Sequence, residues 1–160
     1  MATELEDLKI LQAAEGIADA VWKRVVQWDE FARDIVGKQL ARATDSIGAN
    51  IAESYGRFHY GEKLQFLYYS RGSLFETKYW LNRALTRELM QPGEVKVYAD
   101  RLSDVARQLN SFASSLKSQR KDNQTQSKSV REPTAEYVTD ERLDDFITLF
   151  AENELTWLAA

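Results

Sequence analysis

The stretch "QLARATDSIGANIAESYGRF", residues 39–58, carries two patterns at once. Apolar positions at three- and four-residue steps, including Leu40, Ile47 and Ile51, predict one buried face of a long helix. A polar line runs beside this face at steps of four, four, three and four, through Arg42, Ser46, Asn50, Glu53 and Arg57. Small residues fill most of the other positions, which permits close approach of a neighbouring helix. The stretch therefore predicts a helix that packs on more than one side.

The polar line has two interpretations. On an exposed face, Glu53 and Arg57 form a favourable pair four residues apart, worth about 0.2–0.5 kcal/mol, and the line simply meets solvent. In a closely packed helix the same groups need hydrogen-bonding partners, and the later stretch "YYSRGSLFE" offers Ser73 and Glu76 on another helix. We favour the second interpretation, a structural polar network between helices that consists of Arg42, Ser46, Asn50, Glu53, Arg57, Ser73 and Glu76.

Helical periodicity continues on both sides of this stretch. With 2 Pro, 7 Gly and 44% hydrophobic residues in 160, the composition favours helices over sheet. Asp29 is a plausible N-cap for the second helix, and Pro92 suits the first turn of the fourth. Four long helices with short connections pack most simply as an antiparallel up-down-up-down bundle, so the predicted fold class is all-α. The predicted helices cover residues 3–26, 30–56, 61–89 and 93–119.

The chain beyond residue 119 differs in composition. We assign residues 1–119 to the bundle, 120–139 to a flexible linker too polar to bury a core, and 140–160 to an acidic amphipathic C-terminal segment with a short helix at 140–155. Residues 121–160 hold 4 Lys+Arg against 9 Asp+Glu. We expect this segment to dock, on a separate protein ahead of its own assembly. Its candidate docking residues are Leu143, Phe146, Ile147, Phe150 and Trp157.

Several kinds of catalytic site lack their residues. The chain has no Cys and one His, His59, whereas a di-iron bundle needs a Glu-x-x-His pair on each of two helices. A positioned nucleophile and a phosphate-cradling glycine loop are also not evident. We therefore predict a protein that is not an enzyme, with no catalytic residues, no cofactor and no metal.

The charge distribution gives little support for a nucleic-acid footprint. Residues 1–120 hold 17 Lys+Arg against 16 Asp+Glu, so the bundle is not basic overall. Only local patches remain as candidate nucleic-acid contacts, namely Lys23, Arg24, Lys63, Arg71, Lys78, Arg83 and Arg87. No apolar run approaches the roughly 18 residues of a membrane span, and the N-terminus is acidic, so we expect a cytoplasmic protein without a membrane partner.

The strings "KQLARATDSIGANIAESYGRF" and "FLYYSRGSLFETKYWLNRA" resemble the signature of four-helix-bundle proteins encoded in intervening sequences of bacterial 23S ribosomal RNA genes. Ser54 and Ser70 depart from that pattern, which usually has Gly and Ala there. The resemblance covers about residues 8–118. The matching positions are Gln39, Leu40, Arg42, Ala43, Ser46, Ile47, Asn50, Ile51, Ala52, Glu53, Gly56, Arg57, Phe66, Gly72, Ser73 and Glu76.

The resemblance implies an antiparallel four-helix bundle that assembles into a ring-like homopentamer. It also implies kinship with the accessory proteins of diversity-generating retroelements, which bind nucleic acid and a reverse transcriptase. We expect a non-enzymatic homo-oligomeric adaptor that binds a protein partner not identified by the sequence. The alternative is a weak nucleic-acid-binding accessory protein, for RNA or DNA, that acts with a reverse transcriptase. The third helix shows two apolar faces, and Tyr68, Phe75 and Tyr79 are candidates for a second interface.

Overall fold

The computed structural model describes residues 4–5, 8–126 and 148–160, without the side chains of residues 124–126. All of the regular structure in these ranges is helical. Helix α2 is composite, because a π-helical stretch joins two α-helical parts. The helices are α1 (Lys9–Val25), α2 (Glu30–Ala32, π-helical Arg33–Gly37 and Lys38–Gly56), α3 (Tyr60–Thr86), α4 (Pro92–Gln126) and α5 (Glu152–Ala159).

The four long helices form a closed antiparallel ring. Helix α1 lies between α2 and α4, and α3 closes the ring on the other side. Between α2 and α3, the Ser70 hydroxyl donates to the Ile47 carbonyl at 2.9 Å, and the Ser54 hydroxyl donates to the Lys63 carbonyl at 2.7 Å. These two bonds join late α2 to early α3, as an antiparallel pair requires. The predicted all-α four-helix bundle is therefore confirmed.

The core lies along the axis of this ring. The apolar faces predicted from helical spacing supply it, since the side chains that are fully removed from solvent recur at three- and four-residue steps. Burial of this apolar surface is the main force that holds the four helices together, because most helical stability in proteins comes from packing of an amphipathic face. The central side chains are Ile17, Val21, Leu40, Ile47, Ile51, Leu67, Leu74, Leu81, Leu102 and Leu109.

The start of α2 combines a predicted feature with an unpredicted one. Asp29 is the N-cap, and its carboxylate accepts a hydrogen bond from the Ala32 N–H at 3.0 Å. The π-helical stretch was not predicted, because the wider turn has no distinctive periodicity in the sequence. Gly37 ends it, and a Cβ on Gly37 would lie 2.5 Å from Cγ1 of Val25. Helices α1 and α2 thus approach each other closely here.

The predicted boundary at residue 119 is too early, since α4 continues to Gln126. The prediction was based on the scarcity of apolar residues after residue 119. It missed that extending an existing helix costs little free energy, because each residue that is fixed adds one hydrogen bond. The Arg120 guanidinium also lies 4.8 Å from the centre of the Tyr60 ring, which ties this extension to the start of α3. The remainder of the predicted linker, from residue 127, lies outside the described residues.

The predicted C-terminal helix at 140–155 is also displaced. The described helix is Glu152–Ala159, and residues 140–147 lie outside the described residues. Phe150 lies before this helix, and both of its backbone polar groups bond to the side chain of Asn110. The helix begins after Ala151, whose N–H donates to the Glu154 carboxylate at 2.9 Å. This local cap, rather than apolar spacing, sets the start.

Candidate interaction surfaces

The polar line on α2 does not form the predicted network between helices. Ser46 and Asn50 donate to backbone carbonyls one turn earlier, and Arg42 donates to Gln39 at 2.8 Å. Glu53 and Arg57 pair with each other across one helical turn. The Ser73 hydroxyl donates to the Tyr69 carbonyl within α3, and Glu76 is exposed. The prediction was wrong because the α2–α3 contact uses smaller polar groups, Ser54 and Ser70, which reach backbone carbonyls directly.

A groove of about 280 Å³ separates α1 from α2 on the outside of the bundle. Its floor is made of small residues, including Ala14, Gly48 and Ala49, and its rim carries carboxylates. Burial raises the pKa of Asp45, and the neighbouring Asp19 carboxylate raises it further. The raised pKa means that ionising Asp45 in this groove costs the folded chain free energy.

Large apolar side chains stay exposed at the end of the bundle where α1 turns into α2. Trp22 on α1 is 61% exposed, and Val26, the residue after the end of α1, is 47% exposed. On α2, Phe31 is 76% exposed, and Ile35, within the π-helical stretch, is 50% exposed. We call these four residues the apolar end surface. Exposed apolar side chains grouped at one end of a molecule are a candidate interaction site.

The outer side of α3 is the second exposed region with aromatic residues. Tyr69 and Tyr79 are each about half exposed, and Gly72 between them has no atom near the position of a Cβ. Of the three predicted interface residues on this helix, Tyr68 is partly buried and Phe75 is covered by the C-terminal segment. Only Tyr79 keeps the exposure expected of an interface residue. Phe58, in the turn before α3, is 90% exposed.

Most of the candidate nucleic-acid contacts are engaged within the chain. Arg24 pairs with Glu94 at 2.6 Å, and Lys63 donates to the carbonyls of Ser54 and Tyr55. Arg71 and Lys78 lie under the C-terminal segment, and Arg83 lies over the Tyr79 ring with its Nε buried. Lys23 and Arg87 are exposed. The structure therefore does not gather these seven cations into one patch.

Residues 148–160 dock on α3 and α4 through polar contacts along their whole length. Asn110 donates to the Phe150 carbonyl and accepts from the Phe150 N–H, both at 2.9 Å. Arg71 donates to the Leu149 carbonyl at 2.6 Å and pairs with Glu154 at 2.5 Å. Farther along, the Ser103 hydroxyl donates to the Leu155 carbonyl and Lys96 donates to the Ala159 carbonyl. We call this surface the α3–α4 groove.

The same segment fills the groove with apolar side chains. Phe150 is 1% exposed, and Leu158 is fully buried. The Phe75 ring stacks on both Phe150 and Trp157, with centroid separations of 5.9 and 5.5 Å. Beneath Trp157, burial lowers the pKa of Lys78 and nearby Lys96 lowers it further, while Asp100 opposes the shift. The groove is thus cationic and aromatic, and its occupant is acidic.

The C-terminal segment docks, as predicted, but on the bundle of its own chain, and the prediction named only some of the residues that make the contact. Phe150 and Trp157 contact the bundle of the same chain, whereas a separate protein was placed first. Leu143, Phe146 and Ile147 lie outside the described residues. The prediction missed three buried apolar residues of the segment that helical and strand spacing could have indicated, Leu149, Leu155 and Leu158. It also missed Ser103 and Asn110 on α4, which bond to the backbone of the segment. No sequence signal marks these two, because polar residues on α4 look like ordinary solvent-facing positions.

Among residues 4–5, 8–126 and 148–160, no group of three or more His, Cys, Asp or Glu side chains is placed to hold a metal ion. Within the same part of the chain, no helix combines the length and the apolar character that crossing a bilayer requires.

The closed ring of four antiparallel helices, with a short fifth helix docked on one side, defines the class of the protein as an all-helical four-helix bundle. A family model described as 23S rRNA-intervening sequence protein matches residues 6–111. The chain belongs to this family, as the motif resemblance implied. The match spans α1 to α3 and about half of α4, and α5 lies outside it. No curated protein matches the chain.

Proposed function

We propose that this protein is a non-enzymatic adaptor that assembles with copies of itself and binds a protein partner. The observation that carries the proposal is the apolar end surface, where Trp22, Phe31 and Ile35 are each at least half exposed. Leaving such side chains in water is unfavourable by about 25 cal/mol for each Å² that could be buried. An oligomer in which copies meet through this surface removes that cost.

An adaptor needs a second surface for its partner. The outer side of α3 is available for this role, because Tyr69 and Tyr79 are exposed there. Tyrosine is enriched in protein interfaces, since it combines a large apolar ring with a hydrogen-bonding hydroxyl. Gly72 between them lets another chain approach the helix backbone closely. We assign the protein partner to this side.

The assembly is tested by light scattering coupled to size-exclusion chromatography on the full chain. We expect a mass that is a multiple of 18.4 kDa, with the five-fold multiple implied by the family resemblance as the specific expectation. The variant Phe31→Ser with Ile35→Ser should shift the mass toward the monomer, because it removes half of the apolar end surface. Val97→Ser is the matched control, since Val97 is a similarly exposed apolar residue on α4.

A wild-type mass of 18.4 kDa at micromolar concentration contradicts the proposed assembly. An oligomer that Phe31→Ser with Ile35→Ser leaves intact contradicts the interface while leaving the assembly in place. Circular dichroism on the variants checks that each remains helical, so that a loss of mass is not a loss of fold.

The rival proposal is weak nucleic-acid binding with a reverse transcriptase as the associated protein. The engagement of Arg24, Lys63 and Arg71 within the chain argues against it. Fluorescence anisotropy with labelled RNA and DNA at low and moderate salt distinguishes the two. Binding that weakens steeply with salt supports the rival, because phosphate contacts release counterions. Lys23→Ala with Arg87→Ala should then reduce it, since these are the exposed cations of the set.

A further inference from the structure

We propose that the α3–α4 groove is a peptide-binding site that takes the C-terminal segment of a second copy of this chain, so that residues 148–160 are exchanged between copies. The proposal goes beyond the assembly above, because it concerns another surface and a part of the chain outside the family match. It rests on the contacts between the groove and the segment and on the length of the intervening chain.

The groove has the character of a built peptide site. Its polar side chains reach the backbone of the segment at four residues, Leu149, Phe150, Leu155 and Ala159. Asn110 satisfies both backbone polar groups of Phe150, which fixes the direction and position of the peptide. Main-chain hydrogen bonds give affinity and side-chain pockets give specificity in recognised peptide sites. A nucleic acid would not fill the pockets that hold Phe150 and Leu158.

Charge distinguishes the two sides of this contact. The groove presents Arg71, Lys78 and Lys96, whereas residues 143–160 contain acidic residues and no Lys or Arg. Arg71 and Glu154 are each about one-third exposed or less, so their pair is partly shielded from solvent. The occupant that satisfies all of these contacts is the sequence "TLFAENELTWLAA" itself. A second copy carries the same sequence, so the groove fits that copy's segment equally well.

The intervening chain does not force the segment onto its own groove. Phe150 lies beside Asn110, and Asn110 is about 24 Å along α4 from Gln126 at about 1.5 Å per residue. Residues 127–147 can span up to about 70 Å at about 3.3 Å per residue. The covalent limit therefore exceeds the local path nearly threefold, so the length of the chain does not confine the segment to its own groove. Because the groove contacts are identical in both arrangements, only the local concentration of the segment separates them.

The first experiment measures binding of the segment without its covalent link. The probe is a fluorescent synthetic peptide of residues 148–160, and the acceptor is the full chain carrying Phe150→Asp and Leu158→Asp, whose own segment no longer competes. We expect saturable binding to this acceptor and at least about tenfold weaker apparent binding to the wild-type chain, where the attached segment competes. Adding Asn110→Leu to the acceptor should abolish binding. A peptide carrying Phe150→Asp is the matched control and should not bind.

The second experiment detects exchange between otherwise native chains. Because the chain has no Cys, one copy can carry Ala160→Cys and another Gly93→Cys as single reactive sites. Lys96, one turn after Gly93, contacts Ala159, so a short cysteine-specific crosslinker should join the two copies when the segment of one lies in the groove of the other. A chain with both substitutions brings the two cysteines together at every occupied groove, whichever copy supplies the segment, and serves as the positive control for the reach of the crosslinker. Excess peptide 148–160 should suppress the crosslink between copies.

The outcomes separate the alternatives. Peptide binding together with a peptide-sensitive crosslink between copies supports the exchange. Peptide binding without any crosslink between copies overturns it, and so does a crosslink that excess peptide leaves unchanged. Absence of peptide binding to a folded acceptor also overturns it. The mass of the Phe31→Ser with Ile35→Ser variant reports on the apolar end surface alone, so failure of one proposal is distinguishable from failure of the other.

Discussion

The contribution of a single residue to the stability of this bundle depends on the atoms packed around it. Asp45 and Asp104 both lie on long helices, yet only Asp45 lines the groove between α1 and α2 beside Glu15 and Asp19. Gly37 and Gly72 are both helical glycines, yet one is pressed against α1 and the other faces open space. The substitutions below use these contrasts.

We predict that Asp45→Asn raises the melting temperature at pH 7. Burial, and then repulsion from Asp19, raises the pKa of Asp45 in the folded chain above its usual 3.8. A raised carboxyl pKa means that stability is present at low pH and is lost as pH rises through the folded-state pKa. The gain from Asn should therefore shrink toward zero below about pH 3.8, where both states are protonated. Thermal unfolding from pH 3 to pH 8 measures it, and Asp104→Asn should show no comparable gain.

Gly37→Ala and Gly72→Ala should change stability in opposite directions. The new Cβ at Gly37 would lie 2.5 Å from Val25 Cγ1, and such overpacking typically costs about 1–3 kcal/mol. The new Cβ at Gly72 meets nothing within 4 Å, so removing a helical glycine should stabilise by about 0.5–1 kcal/mol. Chemical denaturation of both variants provides the comparison. Equal effects at the two sites would contradict the close α1–α2 contact.

At the scale of elements, helix ends depend on local bonds more than on apolar content. Helix α4 continues to Gln126, beyond the end of its apolar pattern. Helix α5 begins two residues after Phe150, whose backbone bonds to Asn110. Glu154 has two functions at that point. One carboxylate oxygen accepts from the Ala151 N–H, and the other pairs with Arg71. The start of α5 and its docking are therefore linked through one side chain.

We predict that Glu154→Ala releases α5 from the bundle while the four long helices remain folded. The substitution removes the cap of a short helix and leaves Arg71 without its carboxylate, and a lost N-terminal cap alone typically costs about 1 kcal/mol. Hydrogen exchange of residues 148–160 should accelerate, with protection in α2 and α3 retained. Glu152→Ala is the control, since Glu152 is exposed and only its carbonyl bonds within the helix, to Thr156. Equal exchange in both variants would rule out this role for Glu154.

At the scale of the whole molecule, the bundle and the C-terminal segment differ in how they are held. The ring of four helices closes on a continuous apolar core, whereas the segment adds Leu149, Phe150, Leu155 and Leu158 from one side. Elements with fewer buried contacts open at lower free energy than the global unfolding. We therefore expect the four-helix bundle to unfold cooperatively and the C-terminal segment to detach from it at a lower free energy.

We predict that native-state hydrogen exchange resolves two levels of opening in the wild-type chain. Amides of α5 should exchange through a local opening that depends weakly on denaturant, because little surface is exposed. Amides around Ile47 and Leu74 should exchange only with global unfolding. Mass spectrometry after graded denaturant measures both. A single level shared by α5 and the core would show that the segment is an integral part of the bundle.

The four helices and their buried faces follow from the sequence. Apolar residues at helical spacing, such as Leu40, Ile47 and Ile51, lie on one face of a helix and are removed from water together when that face packs. Asp29 as an N-cap is equally local, since its carboxylate serves an N–H three residues away. The inter-helix network assigned to Arg42 and Glu76 failed for the converse reason. Periodicity tells which residues share a face, and it does not tell which polar groups a neighbouring helix brings within hydrogen-bonding distance.

By itself, then, the sequence determined the class of fold, the family motif and the existence of an acidic C-terminal segment with an apolar side. These depend on spacing and composition along one chain. Only the tertiary structure decided that α2 passes through a π-helical turn, that Ser54 and Ser70 bond to α3 and α2, and that Asn110 receives Phe150. The bonds of Ser70 and Asn110 depend on segments 23 and 40 residues apart in sequence coming together. That juxtaposition is set by packing of the whole bundle, because no local signal in either segment encodes the position of the other.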